Sequence, residues 1–220
     1  MMMWNFMVAV ILVVSVSTAP ATAETWRAKV TAFAAENFKH PAWGFSHSQR
    51  DYALAVSLAA ADHVTLDDDV IFAAAYLHDM AAFPKWAEDK KEHGDVAAAK
   101  IDMVLADTDF PTAKLDAVRA AIRTHMFTRD PQTPEARYLH DADALDWLGA
   151  IGIGRQIALV GKNGEKPMGP DVIATLEKQM AIVPPRVLSP AGQALIAPRI
   201  AEEKAFVDAL RRETDNLSTF

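Results

Sequence analysis

The sequence predicts an all-α fold, and three observations carry that expectation. Beyond Glu24, apolar residues recur at helical spacing almost throughout, strand-type alternation is scarce, and the connections are short and marked by proline, glycine or aspartate. With 220 residues, 51% of them hydrophobic, the chain can bury a sizeable core, and at roughly 150 residues per domain it is expected to form one.

The first segment stands apart from that fold. Residues 6–16 read FMVAVILVVSV, an apolar run of signal-peptide length, and Ala21-Thr22-Ala23 fits a small-residue cleavage site. Residues 1–23 are therefore expected to be a signal peptide cleaved after Ala23, with residues 24–220 as the folded domain, periplasmic or secreted. The run is shorter than the roughly 18 apolar residues of a membrane span, so no stable membrane insertion is expected after cleavage. An uncleaved anchor is the alternative, since no Lys or Arg precedes the run.

Helices follow in order. The periodicity predicts one over 24–37 and a second over 48–63. Thr65-Leu66-Asp67-Asp68 resembles a capping box, after which Val70, Ile71, Ala74 and Leu77 share a face. Pro111-Thr112 opens another helix with Leu115, Val118 and Ile122 at helical spacing. Thr133-Pro134-Glu135 reads as an N-cap with proline at the first helical position, and Tyr138, Leu145 and Leu148 then form its stripe. Helices over 171–182 and 191–212 are separated by Pro184-Pro185.

Composition excludes several classes of function. Twenty-nine acidic against 22 basic residues give a net charge of -7, which repels a phosphate backbone, so no nucleic-acid polymer is expected as a partner. The absence of cysteine excludes disulfides, zinc thiolates, iron–sulfur clusters and a cysteine nucleophile. A metal site would have to be built from His, Asp and Glu.

Such residues interrupt the apolar stripes. Extending the apolar stripes reaches His47, seven residues before Leu54, His78 with Asp79 beside it, His93 and His125, and Asp141 fills the gap between Tyr138 and Leu145. One histidine on an apolar face is most often a hydrogen-bonded core residue. Six such groups from distant segments point instead to a shared cation, because burying two carboxylates without compensating charge is costly. His40, His63 and His140 read as surface or structural residues, with His140-Asp141 a second His-Asp pair that competes for the ligand role. Gly149, Gly152 and Gly154 read as close helix packing, since neither a strand nor a Walker lysine flanks them.

The ordered pieces are GFSHSQRDYALA from Gly44, AAAYLHDM from Ala73, EHGDVAAA from Glu92, IRTHMF from Ile122 and HDADALDWLGAIGIGR from His140. Together, over residues 44–155, they resemble the HD-domain phosphohydrolase superfamily, and most closely a small bacterial subgroup. One departure is Ala81, where many members have glycine. The resemblance implies a helical bundle that holds one or two divalent transition metals. His47, His78, Asp79 and Asp141 would hold the first ion and His93 with His125 the second, Asp79 bridging. This nitrogen and oxygen donor set suits Mn, Fe, Co, Ni or Zn. The implied reaction is attack of a metal-activated water on a small phosphorylated molecule, nucleotides included. Arg50 and Lys85 are candidates to neutralise the phosphate. Asp143 or Asp146 is a candidate to orient a ligand histidine or the water, giving Asp79, Lys85, Arg50 and Asp143 as the catalytic set. A di-iron oxygenase on the same fold and a non-catalytic metal-binding domain are the alternatives.

Overall fold

The computed structural model describes residues 25–161 and 169–220, and the expected signal peptide lies outside the described residues. Helix α1 (Trp26–Asn37) starts where the Thr25 side chain accepts the Ala28 N–H. It turns Trp26, Val30 and Ala34 inward, with Trp26 edge-on to Phe72 and Phe110. Helix α2 (Phe45–Ala61) begins three residues earlier than the periodicity predicts, which places His47 inside its first turn.

Helix α3 (Asp68–Leu77) is capped by Asp67, whose carboxylate accepts the N–H groups of Asp69 and Val70. Thr65 is therefore not the cap. Asp67 immediately precedes the first helical residue, and Asp68 and Asp69 add negative charge at the positive end of the helix dipole. Every residue from Val70 to Leu77 is buried, because α3 runs through the centre and packs on α1 and α2 and on two helices still to come. An all-round apolar sequence is what such a position requires.

A 3-10 turn over Met80–Ala82 leads to α4 (His93–Lys100), and Ile101 separates it from the short α5 (Asp102–Leu105). A second 3-10 turn over Thr112–Lys114 opens α6 (Leu115–Arg123), which packs on α3 and α4. Helix α7 (Pro134–Leu145) has the expected cap, with the Thr133 hydroxyl accepting the Ala136 N–H and proline at the first position. It stops at Leu145, so Leu148 is not on its stripe. Gly149, at φ +73°, opens α8 (Gly149–Ile157) in a conformation that a residue with a Cβ adopts only under strain. Helix α9 (Gly169–Ile182), a 3-10 turn over Pro184–Arg186 and α10 (Pro190–Glu213) complete the chain.

The main core is built from α1 to α7, and Ile153, Val172, Ile173, Leu176 and Val207 of α8, α9 and α10 form a smaller cluster. Helix α10 packs on α2, α7, α8 and α9 and so joins the two. There is no β-strand among the described residues, and none of their helices is long and apolar enough to cross a membrane.

Candidate metal centre

The fold brings five of the expected ligands together at helix ends. His47 lies in the first turn of α2, His78 caps α3, Asp79 follows it, His93 opens α4 and His125 comes two residues after α6. All are buried except His93, which is half-buried. His47 Nε2 and His78 Nε2 are 3.2 Å apart, and His93 Nε2 and His125 Nε2 are 3.1 Å apart. Asp79 stands between the two pairs. Its Oδ2 is 3.4 Å from each of His47 Nε2 and His78 Nε2, while its Oδ1 is 3.2 Å from His93 Nε2 and 3.7 Å from His125 Nε2. The close approach of α4 to the end of α6 requires Gly94, where a Cβ would sit 3.0 Å from His125 Cε1 and 3.1 Å from the Ile122 carbonyl oxygen.

Every one of these imidazoles has its Nδ1 held by an oxygen. Asp146 Oδ2 holds His47 at 2.8 Å, the Ala75 carbonyl holds His78 at 2.8 Å, the Ile122 carbonyl holds His125 at 2.6 Å and Glu92 Oε1 holds His93 at 2.9 Å. With the proton on Nδ1, each neutral ring directs the Nε2 lone pair at its neighbour's lone pair. Either extra protons or cations must lie between them. Ligand bonds of about 2.1 Å put neighbouring donors about 3.0 to 3.4 Å apart, which is the spacing of the two nitrogen pairs. The donor set therefore fits a metal ion in each half of the cluster, with the outer oxygen contacts fixing the tautomers.

The electrostatics agree. Burial alone would lower the His47 pKa, but the Asp51 carboxylate and contacts with Asp143 and Asp146 raise it well above the ordinary value, against the opposing charge of Arg155. Burial likewise opposes His78, yet Asp79 lifts it to about 9. His125 is pushed down to about 4 by burial and then by the His78 charge. Burial works against ionisation of Asp79, but the His78 charge and hydrogen bonds to His47, His78 and His93 hold it well below the carboxylate range. Without metal, His47 and His78 thus take up protons that a cation must displace. Apparent metal affinity is therefore expected to rise between pH 6.5 and 8.5, by about tenfold per pH unit for each proton released. Titration of chelator-stripped protein with Mn(II) at both pH values checks this, and equal affinities would contradict it.

Two expected residues lie elsewhere, and the first is a correction. Asp141 does not face the cluster: its carboxylate accepts the Leu188 N–H at 2.9 Å and the Ser189 N–H at 2.6 Å, tying α7 to the start of α10. Asp143 takes the position near the histidines, with Oδ1 3.4 Å from His47 Nε2. Helical residues advance by about 100° each, so Asp141 and Asp143 point to nearly opposite sides of α7. Asp141→Ala should therefore retain metal while costing about 2–3 kcal/mol of stability, because two backbone donors lose their acceptor. Metal analysis alongside thermal unfolding checks this, and loss of metal at unchanged stability would return Asp141 to the ligand set.

The second is Lys85, whose ammonium donates to Asn37 Oδ1 at 3.1 Å and lies over the Trp86 ring, exposed and away from the histidines. Arg50 does reach the centre, but through Asp146, to which it gives two hydrogen bonds of 2.9 and 2.7 Å. His140 is buried, with its ring nitrogens against the Thr124 and Arg186 carbonyls at 3.2 and 3.0 Å. His40 stacks on Trp43 and its Nδ1 accepts the Ala42 and Trp43 N–H groups. Gly152 packs closely, since a Cβ there would meet the Trp147 carbonyl, whereas Gly154 has open space around it.

Two residues, Asp51 and Arg155, escaped the sequence reading, and Asp146 entered it only beside Asp143 as a candidate to orient a ligand histidine or the water. Asp51 lies one turn after His47 and is fully buried. Asp146 anchors His47, Arg50 and Arg155 at once, and those charges hold its carboxylate below the ordinary range in spite of burial. Arg155 is buried, donates to Asp146 at 3.0 Å and lies 3.6 Å over the Trp147 ring. A signal was present for Asp51, which is four residues from His47 and thus on the same helix face.

The cluster opens to solvent through a pocket of about 250 Å³. Asp79, His93, Asp143, Arg155 and Gln179 supply its polar wall, and Trp43, Phe127 and Trp147 its aromatic one. A larger groove of about 420 Å³ between α9 and α10 lies away from these side chains, and its polar groups, Glu177, Lys204 and Asp208, are exposed.

The model of the HD-domain family matches residues 44–148. No curated protein matches in sequence. Among solved structures, a protein from Lactobacillus plantarum is 25% identical with a TM-score of 0.67, over 87% of this chain and 97% of that one. A predicted HD-superfamily hydrolase from an uncultured Thermotogales bacterium is 23% identical with a TM-score of 0.59, over 84% and 88%. Bacillus subtilis YpgQ, solved in complex with ADP, is 19% identical with a TM-score of 0.65, over 85% and 97%.

Proposed function

This chain belongs to the HD-domain superfamily, and on that premise we propose that it is a metal-dependent phosphohydrolase that uses water to cleave a small phosphate ester. The observation that carries the reading is the convergence of four histidine Nε2 atoms on the two oxygens of Asp79, at the inner end of a pocket that also contains Arg155. His47, His78, Asp79 and Asp143 would hold one ion, and His93, His125 and Asp79 the other. Mn, Fe, Co, Ni and Zn all suit these donors. Bound there, such ions supply Lewis acidity towards a phosphoryl oxygen and lower the pKa of a water molecule.

The chain's own groups complete the site. Arg155 carries a buried Nε with no hydrogen-bond partner, and its guanidinium is held flat by Trp147 and by one contact to Asp146. It thus sets a fixed positive charge in the pocket wall that favours a phosphate oxygen. Arg50 acts at one remove, by fixing the Asp146 carboxylate that keeps the His47 proton on Nδ1. Asp143 lies in the pocket wall where it can orient the attacking water or receive its proton. The aromatic wall excludes water and offers a face to an organic group on the substrate. YpgQ was solved with ADP, which supports including nucleoside phosphates among the candidates. Lys85, being outside the pocket, carries no role in this scheme.

The test is a panel of phosphate esters, nucleoside mono-, di- and triphosphates among them, with protein loaded with each metal. Phosphate release above the metal blank, lost in Arg155→Ala, is expected. Oxygen uptake by the iron-loaded protein without phosphate release would point to an oxygenase, and bound metal with neither activity to a binding domain. Export belongs to the same proposal, so protein recovered from the periplasm or medium should begin at or near Glu24. Full-length chain in the cytosol would refute it.

A further inference from the structure

One buried group near the histidines is left over. Asp51 is entirely inside, and neither of its carboxylate oxygens accepts a hydrogen bond. The two nearby guanidinium groups give it no hydrogen bond, since Arg50 and Arg155 both donate to Asp146. Asp51 Oδ2 instead lies 3.1 Å from His47 Nε2 and 3.6 Å from His78 Nε2. His47, Asp51, His78 and Asp143 present ligand atoms that all lie within 4.8 Å of one another. A buried carboxylate without donors is stable only when a cation takes their place.

We propose that Asp51 is a further ligand of the inner ion, which makes the two halves of the centre unequal. The inner ion then has two imidazoles, from His47 and His78, and three carboxylates, from Asp51, Asp79 and Asp143. The outer ion has His93, His125 and the other oxygen of Asp79. Asp51 and both inner histidines are buried, whereas His93 is half-buried and lines the pocket. Three negative charges and a filled donor set hold the inner ion tightly and leave it little room for substrate. The outer ion keeps open positions, so exchange and substrate binding concentrate there. This inference rests on the metal-dependent reading above and adds which ion is resident and which is exchangeable.

The test uses the whole soluble protein, stripped by chelator and titrated with Mn(II) alone, with free Mn(II) followed by electron paramagnetic resonance. Wild type is expected to bind two equivalents, the first at least tenfold more tightly than the second. Asp51→Asn should weaken the first by at least tenfold and leave the second unchanged. Thermal unfolding separates ligation from ordinary packing. Metal-free Asp51→Asn gives up the contact with His47, so the readout is the rise in unfolding temperature on adding Mn(II), which should be smaller than in the wild type. Asp51→Ser, smaller and also uncharged, repeats the comparison should the amide disturb α2. A variant that keeps the tight first equivalent and gains as much from Mn(II) as the wild type would make Asp51 a structural partner of His47 and overturn the proposal. So would a wild type with equal sites. Absence of any bound Mn(II) in the wild type would overturn the metal-dependent reading with it, whereas unequal Mn(II) sites without ester turnover would refute only the phosphohydrolase reading.

Discussion

Asp79→Ala is expected to abolish phosphate-ester turnover, to release the outer ion and to weaken the inner one. Asp79 contacts all four histidines: one of its oxygens faces His47 and His78, the other His93 and His125. Its removal withdraws a carboxylate that faces both cations, and two dications a few Å apart then repel each other across a poorly screened interior. The outer half keeps only two imidazoles, too few to hold an ion in competition with water. The inner half keeps His47 and His78 with the carboxylates of Asp51 and Asp143, so a residual ion there is expected. Metal analysis and turnover, measured on the same preparation, check both halves of this expectation. Asp79→Asn, which preserves shape, should fail nearly as completely, because a neutral amide supplies neither the charge nor a second oxygen. Full activity in either variant would remove Asp79 from the centre.

The double variant His93→Ala/His125→Ala is expected to lose about one metal ion of two, with turnover falling by orders of magnitude if water is activated between the ions. The fold should survive. His93 is half-buried at the start of α4, and His125 gives up one hydrogen bond to the Ile122 carbonyl, so the change costs lost packing, about 1–3 kcal/mol, partly offset by relieved desolvation. The remaining His47, His78, Asp79 and Asp143 keep their geometry, because their supports, Asp146 and the Ala75 carbonyl, belong to other elements. Stoichiometry under identical loading is the decisive measurement. A wild type that never exceeds one equivalent, with the same content in the variant, would make this histidine pair a structural one.

How far these expectations could be read without coordinates differs from residue to residue. Periodicity and caps sufficed for the all-α class and for most helices, since a stripe every 3.6 residues and an N-cap such as Thr133 are local features. They also singled out His47, His78, Asp79, His93 and His125, each of which breaks a stripe and which the fold brings to one place. Stripe logic failed on α7. That helix is buried on every side along 138–145, so Tyr138, Asp141 and Leu145 mark one buried face among several, and the sequence has no means of telling which one meets α2. Packing decided it. Asp143 and Asp146, three residues apart and therefore on one side, meet His47, while Asp141 closes the start of α10. Lys85 and Arg50 show the same limit for charge. Either could have reached a phosphate, and only the packing of α1 against the loop after Asp79, and of α2 against α7, sent one to Asn37 and the other to Asp146. Local spacing determined which residues lie on one side of a helix, but a helix has several sides, and which of them faces which neighbour is set by contacts that are distant along the chain.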